Sequence, residues 1–430
     1  MAYWSTSTAT NATFSIPALV ERTGLDLRRE YLAWVHDLGN IPVNGSPLKD
    51  LLFLDAPDLS AWWLNTVADK APLNSTSIYQ TFKLRALEKL YIEQKCTGLV
   101  YCGRDPRLHR ILKSWCGGLR HSYRWMKGAP QPKRSALSVA HRGFRKLPYL
   151  AQALTFLTWK LYTRYVPTWV RGWRMTHASD GGDRAVIVTY FPNIDLDEAR
   201  QGRFRSAYWG PLHDLLDELP LTPTWIWIHG DTVGGDLTDQ CDFRQALSWR
   251  DRFNAHSTRK DRHFLLEDFA TPKALLAAIQ SYLRLYARGL RMKPVRDKFV
   301  LPGSTLNFYP LFEREWNSSL FGPAAIDGQL YRALFDSMVH RLPAQRWCLY
   351  IWENQPWEAA LLTAWRRYQK GSVIGYQHAT VMPLELRAIC DPRTYREKGR
   401  AARPLPDVLA INGRGALELF REVQYPEDRL

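Results

Sequence analysis

Short apolar runs recur through the second half of the chain, each ending in polar residues and most followed by a stretch of helical periodicity. They predict strands at 185–191 (AVIVTYF), 224–229 (TWIWIH), 263–269 (HFLLEDF), 347–354 (WCLYIWEN), 372–378 (SVIGYQH) and 407–413 (DVLAING). An earlier run, TGLVYCG at 97–103, has the same character. Helical patterns fall at 207–218, 272–289, 328–340, 356–369 and 414–423. Strand and helix alternating at this spacing predict an α/β fold, a Rossmann-like parallel sheet with helices on both faces. Nearly unbroken apolar strands agree with burial on both sides. Ligands of such sheets bind beyond the carboxyl ends of the strands, so the polar residues that close each run are the candidates for chemistry.

The richest of these endings is Tyr350-Ile351-Trp352-Glu353-Asn354-Gln355-Pro356-Trp357-Glu358. Pro356 suits the first turn of a helix, where its missing N–H costs nothing. Glu353 stands where a strand-end carboxylate can act as general base on a sugar hydroxyl. Asn354 and Gln355 offer hydrogen bonds to hydroxyls, and Trp352 or Trp357 offers a ring for a sugar face. The competing reading is that Glu353 and Glu358 cap and solvate the helix start. The next strand ends in Gly375-Tyr376-Gln377-His378, where Gln377 and His378 suit a phosphate or sugar oxygen. His229 and Asp231 close the TWIWIH run, and Asn193 closes AVIVTYF. All are expected on one edge of the sheet.

Charge changes this picture in one place. The net charge is +16, and 106–179 holds fifteen Lys and Arg and no Asp or Glu, leaving 43 basic against 42 acidic residues elsewhere. Aromatic residues are interleaved with these cations, and Leu147, Leu150, Leu154, Leu157 and Leu161 recur in alternating steps of three and four. That is one helix face. A Leu face with cations and Trp or Tyr beside it describes a helix lying in a membrane interface. Arg142, Arg145, Lys146, Lys160, Arg164, Arg171 and Arg174 are the expected membrane contacts, each worth about 1 kcal/mol near an anionic leaflet. Two other readings stay open: the Leu face packs on the protein core, or the cations and rings hold nucleic acid. No helix-turn-helix, zinc-finger or RRM signature supports the last. Residues 128–135, GAPQPKRS, have the composition of an exposed linker.

Several classes find no support. No GxGxxG or GxxxxGK[ST] loop follows a strand, which disfavours a simple dinucleotide dehydrogenase or P-loop enzyme. Neither HExxH nor GxSxG occurs, and no metal triad is visible. The six cysteines are scattered, as expected of reduced thiols in the cytosol. The first residues lack the pattern of a signal peptide, and no run of about 20 apolar residues predicts a spanning helix.

WENQPWE, then IGYQHATVMPLELR, then PDVLAINGRGALELF resembles a family of bacterial surface-carbohydrate biosynthesis proteins. LLFLDAPDLSAWWLNTVADKAPLNSTSIYQTFKLRALE and RSAYWGPLHDLL also fit, so the resemblance covers most of the chain. The family looks like glycosyltransferases of the GT-B type, including Kdo-transferase-like enzymes. The resemblance implies that 1–105 and 180–423 form the first Rossmann-like domain and that 106–179 is a basic helical insertion facing the membrane. It implies that 424–430 opens a second domain, missing here, which would hold most of the donor contacts.

The expected function is sugar transfer from a nucleotide-activated donor to a surface glycan or lipid-linked acceptor. Glu353 would be the base, with Gln377 and His378 steadying the donor phosphate or the acceptor. The partners are then a nucleotide sugar as substrate, the acceptor and an anionic membrane surface, with no cofactor and no nucleic acid. The place is the inner face of the cytoplasmic membrane. A non-catalytic scaffold of the same pathway and a polyol-phosphate transferase are the alternatives.

Overall fold

The run at 97–103 is a strand, β1 (Gly98–Cys102), but it does not join the other six. In the computed structural model of the chain it pairs in parallel with β2 (Ser122–Met126), in a two-stranded sheet of its own. The structure describes residues 1–5, 14–54, 59–72, 75–128, 143–172, 183–191, 194–230, 242–256 and 261–430. Asn193, Asp231, Arg142 and Arg174 lie outside the described residues. Two compact units divide the chain: residues 1–152 with 284–325 and 382–402, and residues 153–283 with 326–381 and 403–430.

The first unit is mainly helical. Helix α1 (Ile16–Asn40) opens with Ser15 Oγ accepting from the Ala18 N–H, and it packs against α2 (Thr76–Glu93). Their core is aromatic, with Tyr31 and Trp34 against Phe82, Phe299 and Phe312. Buried Glu88 accepts from Arg85, Ser304 Oγ and both the N–H and Oγ1 of Thr305. A buried carboxylate is tolerated because it is paired and hydrogen-bonded in this way. Between β1 and β2 runs α3 (Pro106–Gly118). The expected boundary at 105 therefore falls inside a strand–helix–strand unit, and the basic stretch 106–179 is not one helical insertion. It contains a strand and is divided between the two units. Strand pairing over twenty residues is a tertiary contact that charge composition does not report.

The second unit is built on a six-stranded parallel sheet: β3 (Asp183–Phe191), β4 (Leu221–His229), β5 (Arg262–Leu265), β6 (Trp347–Ile351), β7 (Ser372–Tyr376) and β8 (Val408–Ala410). The spatial order is β8-β7-β6-β3-β4-β5, and every neighbouring pair is parallel. From β3 the chain steps outward through β4 and β5, then returns to the other side of β3 and steps outward through β6, β7 and β8. This is the order of doubly wound dinucleotide-binding sheets. Consecutive strand residues point to opposite faces, and Ala185, Val186, Ile187 and Val188 are all fully buried. Both faces of β3 are therefore covered.

Much of the tryptophan excess is core. Phe204, Trp225, Trp227, Phe253 and His263 form one cluster of tilted and edge-on rings. Further helices include α4 (Tyr149–Lys160), α5 (Val166–Arg171), α6 (Phe243–His256), α7 (Pro272–Gly289), α8 (Pro323–Arg341), α9 (Pro356–Arg367) and α10 (Arg414–Glu422). Of these, α7, α9 and α10 start where the periodicity places them. The residues expected to open a further domain pack on this unit. Tyr425 is buried with its ring against Phe420, and Arg429 donates to the Pro406 carbonyl.

Candidate functional site

Reversal of strand order at β3 and β6 leaves a crevice beyond their carboxyl ends, since the connections from the two strands run to opposite sides. Tyr190 stands at the end of β3, and Glu353 follows β6 by two residues. Their side chains meet there: the Tyr190 hydroxyl lies 3.4 Å from Glu353 Oε2. His378, just beyond β7, brings Nε2 to 3.8 Å from Glu353 Oε1. Gln355 donates to Glu353 Oε2, and the Tyr208 ring stands edge-on to His378 with centroids 5.0 Å apart.

Local sequence explains how Glu353 is presented. Asn354 takes a left-handed backbone (φ 61°), a conformation Asn tolerates better than most residues. This turns the chain sharply after the strand, and Pro356 starts α9 at once. Glu358, the third residue of α9, accepts from the backbone N–H groups of Gln355 (2.8 Å) and Glu353 (2.9 Å). The carboxylate of the WENQPWE stretch that caps the helix is thus Glu358, and Glu353 remains half-buried beside His378.

Burial sets the protonation states. It lowers the His378 imidazole below its ordinary range, and the Glu353 carboxylate offsets this only in part. His378 is therefore neutral near pH 7. Its Nε2, 3.8 Å from Glu353 Oε1, is beyond hydrogen-bond distance, and the other ring nitrogen is Nδ1. That Nδ1 is buried and has no hydrogen-bond partner among the described residues. Burial, with Glu353 nearby, also holds the Tyr190 phenol well above its usual value. Glu358 is pushed up to about 8, chiefly by burial and against its two backbone hydrogen bonds. At neutral pH it is mostly uncharged.

Several expected contacts are structural. Trp357 is buried, stacks on Phe335 and donates its indole N–H to the Tyr190 hydroxyl at 2.9 Å, so it offers no face to a sugar. Trp352 is buried against Phe420. Gln377 is buried and ties two strand ends together: its Oε1 accepts from the Asn412 N–H (2.9 Å) and its amide donates to the Ala379 carbonyl. The Asn354 side chain accepts from Arg403. A strand-end polar residue looks the same in sequence whether it turns outward or closes the sheet edge, and here the neighbouring strand decides. Tyr208 and Arg403 carried no signal in strand patterning, although Tyr208 lies within RSAYWGPLHDLL.

His229 belongs to a second cluster, two strands from β6. The Arg164 guanidinium donates to its Nδ1 at 2.6 Å and lies over the Phe243 ring. Nearby, Lys160 pairs with Asp327 at 3.1 Å. Both cations are buried, which corrects their assignment as membrane contacts: the side of the helix that carries them faces the protein. Arg145, Lys146 and Arg171 are exposed, and Arg171 lies 3.3 Å from Asp251.

Comparison with protein-family models, curated proteins and solved structures finds no match to the chain.

Proposed function

We propose that the second unit transfers a sugar from a nucleotide-activated donor to a glycan or lipid-linked acceptor of a bacterial surface polysaccharide, in the manner of a GT-B glycosyltransferase. One observation carries this reading: a carboxylate, a neutral imidazole and two tyrosines converge on the switch point of a doubly wound sheet, where such sheets place their ligands. The acceptor hydroxyl oxygen attacks the anomeric carbon, the bond from that carbon to the nucleotide phosphate breaks, and the phosphate leaves with the electron pair. Glu353 takes the hydroxyl proton as the oxygen becomes nucleophilic. Gln355 and Tyr190 hydrogen-bond that carboxylate and hold its orientation, and neutral His378 stands beside it at 3.8 Å. Arg403 donates to the Asn354 side chain and so fixes the turn that presents Glu353.

The test pairs turnover with stability. Glu353→Gln keeps the shape of the side chain and removes its basicity, so kcat should fall by roughly 10²–10⁴ with nucleotide-sugar binding intact and the melting temperature close to wild type. Full turnover in this variant sinks the assignment of the base. Calorimetry with a panel of nucleotide sugars names the donor class, and the lack of any saturable binding sinks the transfer reading for these residues.

A further inference from the structure

Helix α4 runs through a π turn at Leu161–Tyr165 directly into α5, giving one continuous helical path from Tyr149 to Arg171. Its buried side is mixed, with cations beside Ala153 and Tyr165, and its outer side is largely apolar. At steps of four, Lys160, Arg164 and Thr168 are buried. On the outer side Leu154, Tyr162, Val166 and Val170 are exposed by 54%, 73%, 39% and 82%, with Trp159 and Trp169 beside them at 41% and 42%. A helix on a water-facing surface does the opposite and turns its apolar stripe to the core. Residues 154 to 170 span roughly 24 Å at the rise of an α-helix.

We propose that this outward face docks on an anionic lipid bilayer, lying in the plane of the interface with Leu154, Tyr162, Val166 and Val170 as the inserted residues. Charge selects the lipid. The sequence from 106 to 179 has no acid, exposed Arg145 and Lys146 precede the helix, and exposed Arg171 closes it, its charge shared with Asp251 at 3.3 Å. An apolar stripe with Trp and Tyr at its margin and cations along the chain is the composition of interfacial helices. Tyr162, Val166, Val170 and Arg171 also share an open groove of about 610 Å³ with Arg244, whose lining includes one acid, Asp242. This is room for a phospholipid headgroup. No helix among the described residues is long and apolar enough to cross a membrane, so this face rests on the bilayer without spanning it. The buried cations have a different task, since they hold the helix to the protein through Asp327 and His229.

Co-sedimentation of the full chain with phosphatidylcholine vesicles, with and without phosphatidylglycerol, tests this. Wild type should pellet with the anionic vesicles, less at high salt. The triple variant Leu154→Gln, Tyr162→Gln, Val170→Gln changes only exposed positions. It should partition at least about tenfold less with an unchanged melting temperature. Wild-type binding that survives in the variant, or wild type that ignores anionic vesicles, overturns the proposal. If wild type ignores vesicles but sediments as a dimer that the variant abolishes, the face is a protein interface and the lipid assignment is wrong. None of these outcomes depends on turnover at Glu353, so failure here leaves the reading of the site standing, and the reverse holds.

Discussion

Changing pH should destabilise the second unit through one residue. Glu358 is fully buried and its carboxyl is pushed up to about 8, so the folded chain holds a proton there that the unfolded chain releases near pH 4.5. A raised carboxyl pKa means that the folded state binds more protons, and stability falls as pH rises through this window. Glu315, in the first unit, is likewise raised by burial; several other resolved shifts act outside this window or with the opposite sign. Asp268 is raised to about 6, so its stability loss is spent near pH 6. His263 is lowered to about 3 and contributes a rise that fades out over about one unit above 6.5. His36, His109 and His378 are also lowered; the unfolded imidazoles are half protonated at 6.5, so each adds a small rise that fades over the next pH unit. Cys116 and Cys348 are raised and act only above about 9. Integrating the proton difference for Glu358 alone gives a loss of about 1.5 kcal/mol between pH 6.5 and 8. For a unit of this size that lowers the melting temperature by roughly 3–6 °C. Glu358→Gln keeps an acceptor for the Glu353 and Gln355 N–H groups and cannot titrate, so its melting temperature should match wild type at pH 6.5 and exceed it by roughly 3–6 °C at pH 8. An equal pH dependence in both proteins refutes the protonated Glu358.

Two further substitutions separate architecture from chemistry. Gln377→Ala should lower stability by about 1–2 kcal/mol, by urea denaturation, because a buried side chain loses two hydrogen bonds; nucleotide-sugar affinity should not change, and a loss of affinity with stability intact would restore Gln377 as a ligand contact. Gly371→Ala should cost about 2 kcal/mol or more, since φ is 94° and a Cβ would meet the carbonyl oxygens of Gln345 and Arg346 at 2.6 Å; a wild-type melting temperature would show that this turn is not held in that conformation.

Local pattern determined a good deal of this protein. The six strands of the sheet, the three helix starts at Pro272, Pro356 and Arg414, and the polar edge with Glu353 and His378 follow from apolar periodicity and from residues such as Pro356 that punctuate it. These features are set within a few residues of chain, so a sequence carries them directly. The tertiary structure alone decided what contact between distant segments decides. It sent β1 to β2 and away from the main sheet, and it placed β6 beside β3, which makes the crevice. It turned Trp357 and Gln377 inward while leaving Glu353 and His378 half-buried together. It also buried Lys160 and Arg164 against Asp327 and His229, beside Ala153 and Tyr165, and left Leu154, Tyr162 and Val170 outward. Hydrophobic periodicity marks that a helix has two faces; which one meets the protein depends on the partners waiting there, and those lie 65 and more residues away.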